Sequence, residues 1–143
     1  MNRMRFVRTG VAGGGVLLVL TIGALRPAPV RTLHEVQMTS RGQGPRFEPA
    51  QTSVRSGDTV RFVNVRGGPH NVQFFADSIG AGARAVLDSA LGDTRIGPLS
   101  SRLLWDPQDA YVFIVPVLAA GRYPFVCAPH YSGRMTGALV VTP

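Results

Sequence analysis

The stretch Cys127-Ala128-Pro129-His130-Tyr131-Ser132-Gly133-Arg134-Met135 sets a thiol, an imidazole and a thioether in the spacing C-x2-H-x4-M. A second imidazole, His70, stands far upstream, directly after Gly67-Gly68-Pro69 and before Asn71. Two imidazole nitrogens and one thiolate make a soft donor set, and a thioether suits a long, weak axial position. A trigonal His2Cys plane with axial Met is an arrangement that selects copper. Zinc favours stronger ligands, usually more Cys or His, and no thioether. The set leaves no coordination position open and offers no partnered acid and base. The chemistry it suits is cycling of one copper ion between Cu(I) and Cu(II) with little change of geometry.

Taken singly, each donor has an ordinary reading. His70 alone would be a structural strand histidine, Cys127 a small buried hydrophobe and Met135 core filler. Their order and spacing, with Pro69-His70-Asn71 upstream, turn the reading toward metal. A Cys-His hydrolase fits poorly, because Cys127 and His130 are three residues apart and no third orienting group is evident. An oxidase with a second copper would need further histidines, and only His34 remains of the three in the chain. A copper storage or delivery module would use the same donors, but exposed and readily exchanged. With one cysteine the chain forms no intrachain disulfide.

The elements that must position these donors read as short strands. Leu33–Thr39 alternates, with His34, Val36 and Met38 on one side. Residues 41–49 form a Gly- and Pro-rich loop with Phe47 as its core anchor, and Ser56-Gly57-Asp58 is a turn. Thr59–Val65 is a β-branched strand. His70–Phe75 is a further strand with His70, Val72 and Phe74 on one face. Ala81–Leu91 is the one helical stretch, with Ala83, Val86, Leu87 and Ala90 at helical spacing. Ala110–Val117, Tyr123–Cys127 and Thr136–Thr142 complete the strands, Pro116 marking an edge or an end. The C-x2-H-x4-M loop thus runs from the end of one strand to the start of the next. Trp105 and Phe62, Phe74, Phe113 and Phe125 are read as core. About seven strands separated by turns describe an all-β Greek-key sandwich with one short helical insertion.

The 143 residues include 17 Gly and 11 Pro, which agrees with many turns. The net charge of +7 is unevenly placed. All fifteen cations are arginines and five precede Thr32, so ten face eight acids in the remainder, leaving +2. No basic cluster there suggests a nucleic-acid footprint. Residues 1–8 carry three arginines, and Gly10–Leu25 is uncharged and mostly apolar. Residues 1–31 therefore read as a signal peptide or an N-terminal membrane anchor, and residues 32–143 as one folded domain in a periplasmic or other extracytoplasmic space.

The segments YPFVCAPHYSGRMTG and GGPHNV resemble those of the cupredoxins, the type 1 blue-copper proteins, of the plastocyanin and pseudoazurin type. The resemblance implies a seven- or eight-stranded sandwich with one copper ion near one end. It implies His70, Cys127 and His130 as strong ligands and Met135 as the axial one. Asn71 would hydrogen-bond across to the cysteine loop, and His130, its ring edge at the surface, would be the electron port. It further implies a monomer that meets a redox donor and acceptor transiently. Residues 79–109 are longer than the matching connection of a minimal plastocyanin, and Arg134 sets a charge beside the site. Arg134 is expected to favour an acidic partner and to raise the copper potential slightly.

Overall fold

A computed structural model describes residues 30–40 and 42–143. The expected leader or anchor falls, apart from its last two residues, outside the described residues. Among the described residues, eight strands form two four-stranded sheets. They are β1 (Leu33–Thr39), β2 (Arg46–Glu48), β3 (Gln51–Val54), β4 (Thr59–Arg66), β5 (Gln73–Phe74), β6 (Ala110–Ile114), β7 (Gly121–Val126) and β8 (Thr136–Val141), with one helix, α1 (Ala81–Ala90). The first sheet has the order β2-β1-β4-β6 and the second β3-β8-β7-β5. Both are mixed: β1 runs parallel to β4 and β3 parallel to β8, while the remaining pairs are antiparallel. The expected all-β sandwich with one helix is the observed fold.

The alternation of β1 and β6 is that of sheets with one face on the core and one toward water. Val36 and Met38 of β1 and Tyr111 and Phe113 of β6 point inward, whereas Val112 and Ile114 point outward. Between the sheets Phe47, Phe62 and Phe125 meet edge to face, with ring centroids 4.8 to 6.5 Å apart. This geometry suits aromatic quadrupoles and ties β2 and β4 to β7. Phe74 extends the cluster to Phe113 and Phe125.

Several expectations change. The loop before Pro49 contains β2, and Gln51–Val54 is a strand; both are short and pair along one edge, so little periodicity marks them. His70–Phe75 is not one alternating strand, since His70, Asn71 and Val72 are all buried and only Gln73–Phe74 pairs with β7. His70 instead makes an isolated bridge to Leu104. Trp105 is not core: it is 64% exposed. Within α1, Leu87 enters the core and Val86 faces out.

The end of the sandwich where β4 begins is held by Asp58. Its carboxylate accepts the N–H groups of Thr32 (2.9 Å) and Arg55 (2.9 Å) and meets His34 Nε2 at 3.0 Å. His34, with no place in the donor cluster, thus braces this turn. Bonds from the Thr32 and Arg55 backbone, outweighing burial and helped by His34, lower the Asp58 carboxyl to about 2. A depressed carboxylate stabilises the fold above the ordinary carboxylate range, and that contribution fades as pH falls toward about 2. Asp58→Asn should cost about 1–3 kcal/mol at neutral pH, the range for buried donors losing a charged acceptor. The gap between the two proteins in thermal melts should narrow below pH ~4; a gap independent of pH would contradict this account.

Candidate metal centre

The loop between β7 and β8 is closed at its base by the sheet. Val126 pairs with Thr136 in the ladder, and one step further the Cys127 N–H donates to the Met135 carbonyl at 2.9 Å. Between these ends the chain forms a 3-10 turn over Ala128–His130, with Pro129 inside it. Pro suits the first turn of a helix, where its missing N–H has no intrahelical partner. The His130 N–H donates to Cys127 C=O at 3.0 Å, and the Gly133 and Met135 N–H groups donate to His130 C=O at 3.1 and 3.4 Å. The loop therefore returns on itself and brings residues 127, 130 and 135 close in backbone. Gly133 lies directly against Pro45, where a Cβ would collide with the proline ring. Arg134 holds φ at +56° and is exposed.

His70 reaches this loop from the connection between β4 and β5. Its backbone exchanges both hydrogen bonds with Leu104, at 3.0 and 2.8 Å. Before it, Gly68 has φ +138°, and a Cβ there would press on Asn64 Nδ2 at 2.9 Å and the Trp105 carbonyl at 3.1 Å. The two loops approach this closely because the position is glycine.

The structure brings His70, Cys127 and His130 together: one ligand-type atom of each lies within 4.8 Å of the others. Cys127 Sγ is 3.6 Å from His70 Nδ1 and 3.4 Å from His130 Nδ1. Metal bonds of about 2.0 Å to nitrogen and 2.3 Å to sulfur separate such donors by about 3.5 Å in a tetrahedral and about 3.7 Å in a trigonal site. The observed separations fit one ion shared by all three. His70 Nε2 lies 3.3 Å from the Arg66 carbonyl. Donation there leaves Nδ1 as the lone-pair nitrogen, as a metal-ligating imidazole requires. Met135 is fully buried in the core cluster that contains Cys127, and its backbone is bonded to both Cys127 and His130.

Burial decides the charge state of the donors. His70 and Cys127 have no exposed surface, while His130 is partly exposed. Burial lowers the His70 imidazole, its bond to Arg66 opposing this and nearby His130 adding to it. Burial alone lowers His130. Both rings are therefore neutral at neutral pH, with lone pairs free. Burial raises the Cys127 thiol, opposed by the N–H groups of Asn71 and His130.

Asn71 is fully buried and faces two ways. Its Oδ1 accepts the Ala128 N–H at 2.8 Å, and its Nδ2 donates to Ser100 Oγ at 2.9 Å. Ser100 and Ser101 belong to the long connection before β6, and sequence reasoning left them unmarked. Nothing but the register of that connection brings them here: Ser101 Oγ accepts the Val72 N–H at 3.0 Å.

Residues 34–142 match the family described as copper binding proteins, plastocyanin/azurin family. The chain is 33% identical over 135 residues to the chloroplastic plastocyanin of Pisum sativum, covering 94% of this chain and 74% of that one. It is 37% identical over 107 residues to the plastocyanin of Lactuca sativa, covering 75% and 98%. Among solved structures, oxidised plastocyanin from Dryopteris crassirhizoma superposes with a TM-score of 0.57 at 28% identity, covering 76% of this chain and 99% of that one.

Replacing Asn71 with Ala removes an acceptor from the Ala128 N–H and a donor from Ser100 at once. The metal-free variant should lose about 1–3 kcal/mol of stability in denaturant titrations. A variant as stable as the parent would show that the amide bridge does not hold the loop.

Proposed function

The chain belongs to the plastocyanin/azurin family of copper-binding proteins, and on that premise we propose how it works as a single-copper electron-transfer protein. In this reading His70 Nδ1, Cys127 Sγ and His130 Nδ1 would hold the ion, and the Met135 thioether would add a weaker fourth donor. The observation that carries it is the pair of imidazole nitrogens facing one sulfur at 3.6 and 3.4 Å. Bound copper supplies a reversible one-electron couple.

The remaining work falls to the protein. His70, pinned at Nε2 and through its backbone, keeps its ring fixed in both oxidation states. Asn71 keeps the cysteine loop at its distance from His70, so little rearrangement accompanies a change of charge. Burial of Cys127 and Met135 keeps water from the sulfur atoms. Of the two ligand rings His130 is the partly exposed one, so its edge would be the route for electrons. Arg134, exposed beside it, would favour an acidic redox partner and raise the copper potential slightly. Encounters with donor and acceptor are transient, and the chain acts as a monomer. The basic and apolar stretch over residues 1–31 supports export or anchoring, with the domain of residues 32–143 in a periplasmic or other extracytoplasmic space. Catalysis is no part of this reading. A storage or delivery module would expose its donors for exchange, whereas three of these four are fully buried.

Cu(II) added to the purified protein should produce an intense visible thiolate-to-copper band, absent in Cys127→Ser. Potentiometry should find a reversible couple, and Met135→Leu should retain the band while moving the potential. A colourless protein, or copper that cannot be reversibly reduced, would refute the carrier. Arg134→Glu should slow electron exchange with an acidic partner several-fold at low ionic strength, with the difference fading in salt. It should also lower the potential slightly; unchanged kinetics and potential would dismiss a role for this charge.

A further inference from the structure

The pole opposite the donor cluster has a character of its own. β1 and β4 run toward the cluster, so their first residues, Leu33 and Thr59, mark the far end, where Ile114 of antiparallel β6 joins them in one row of the ladder. Leu33 and Ile114 lie on the outer face, 66% and 56% exposed, and Val30 and Val117 are 87% and 86% exposed. Val117 sits in the turn after β6, which is stapled to this end by the bonds of Gly57 with Val115 and of Leu118 with Ser56.

At this end stand Arg31 and Arg55 and, at the start of β7 in the other sheet, Arg122, all exposed. None of the three pairs with a carboxylate among the described residues. Arg31 and Arg55 line a shallow concavity whose one acidic side chain is Asp58, and Asp58 is buried and occupied by two backbone N–H groups and His34. The described chain begins here at Val30. Five residues earlier in sequence ends the uncharged stretch Gly10–Leu25, and five residues of extended chain span at most about 18 Å.

We infer that this pole rests on an anionic membrane surface, its arginines on lipid phosphates and its valines and leucine at the headgroup level, with Gly10–Leu25 as the retained anchor. The inference rests on the anchoring reading of residues 1–31 and needs nothing of the copper assignment. Two features select this occupant over a second copy or a protein partner. The short reach to an apolar segment keeps the pole near a bilayer. Unpaired arginines together with exposed aliphatic side chains match the two layers of a lipid interface. The donor cluster then faces away from the membrane.

The sole tryptophan, Trp105, is a natural reporter of the other end, because it follows Leu104, whose backbone is bonded to His70. The full metal-free chain is reconstituted in phosphatidylcholine vesicles with or without phosphatidylglycerol, carrying a headgroup-region nitroxide lipid as quencher. A Val117→Trp, Trp105→Phe variant should be strongly quenched on anionic vesicles and much less on neutral ones, while Trp105 of the parent stays bright on both. Arg31→Gln, Arg55→Gln and Arg122→Gln should each weaken the surface contact roughly fivefold and together remove the gain from anionic lipid. Quenching of Trp105, or equal quenching at position 117 on both lipids, would overturn the proposal. So would a vesicle-free dimer that the arginine substitutions dissociate. The visible band on adding Cu(II) is read separately, so loss of the band and loss of lipid contact are distinguishable.

Discussion

A single amide side chain ties the two parts of the donor cluster together. Cys127, His130 and Met135 are held by one loop whose ends are locked into the β7–β8 ladder, but His70 is 57 residues away from Cys127. Asn71 joins the two, accepting from Ala128 on one side and donating to Ser100 on the other. In a buried, low-dielectric setting such bonds are strong, and leaving either partner unpaired is correspondingly costly. The donors are therefore held at a separation suited to an ion by the protein's own hydrogen bonds, which lessens the ordering that metal binding requires.

The insertion before β6 takes part in this clamp. Leu87 and Leu91 pack into the core, and Tyr111 of β6 donates to the Leu91 carbonyl at 3.0 Å. Asp88 accepts the Leu99 N–H at 2.7 Å, so the helix fixes where the following segment begins. That segment then lies against the chain after His70 through Phe74 N–H to Leu99 C=O and Ser101 N–H to Val72 C=O. Ser100, the partner of Asn71, is delivered by this registration. The helix is best understood as a brace for the connection that supports the cluster.

What could be read in the sequence depended on how local each signal was. β1, β4 and α1 carry their own periodicity, and the C-x2-H-x4-M loop carries its chemistry in nine residues, so all were visible. β2 and β3 have three and four residues and owe their extended form to neighbours that are distant in sequence. The alternation assigned to His70–Phe75 failed because three successive residues there are buried: His70 and Asn71 turn toward the cluster and Val72 into the core, which a half-buried strand does not do. Trp105 illustrates the converse. Its size suggests burial, yet its neighbour Leu104 takes the inward place opposite His70, leaving the indole outside. Ser100 and Ser101 gave no signal, because a serine declares a role only through what its backbone brings it to.

The rigidity of the sandwich separates what its two ends can do. β4 is eight residues long, about 25 Å at strand rise, and it runs from the Asp58 turn to the residues just before His70. At one end His70 and Cys127 are buried and His130 partly so, and desolvation lowers both imidazoles and raises the thiol, favouring their uncharged forms. At the other, charges are either fully occupied, as in Asp58, or open to solvent, as in Arg31 and Arg55. Because the sheets between them are close-packed, with the Phe47, Phe62 and Phe125 rings in edge-to-face contact, a load on one pole has no soft element through which to move the other. A change of charge at the cluster should therefore leave the far end undisturbed, and whatever holds the far end should not alter the spacing of the donors.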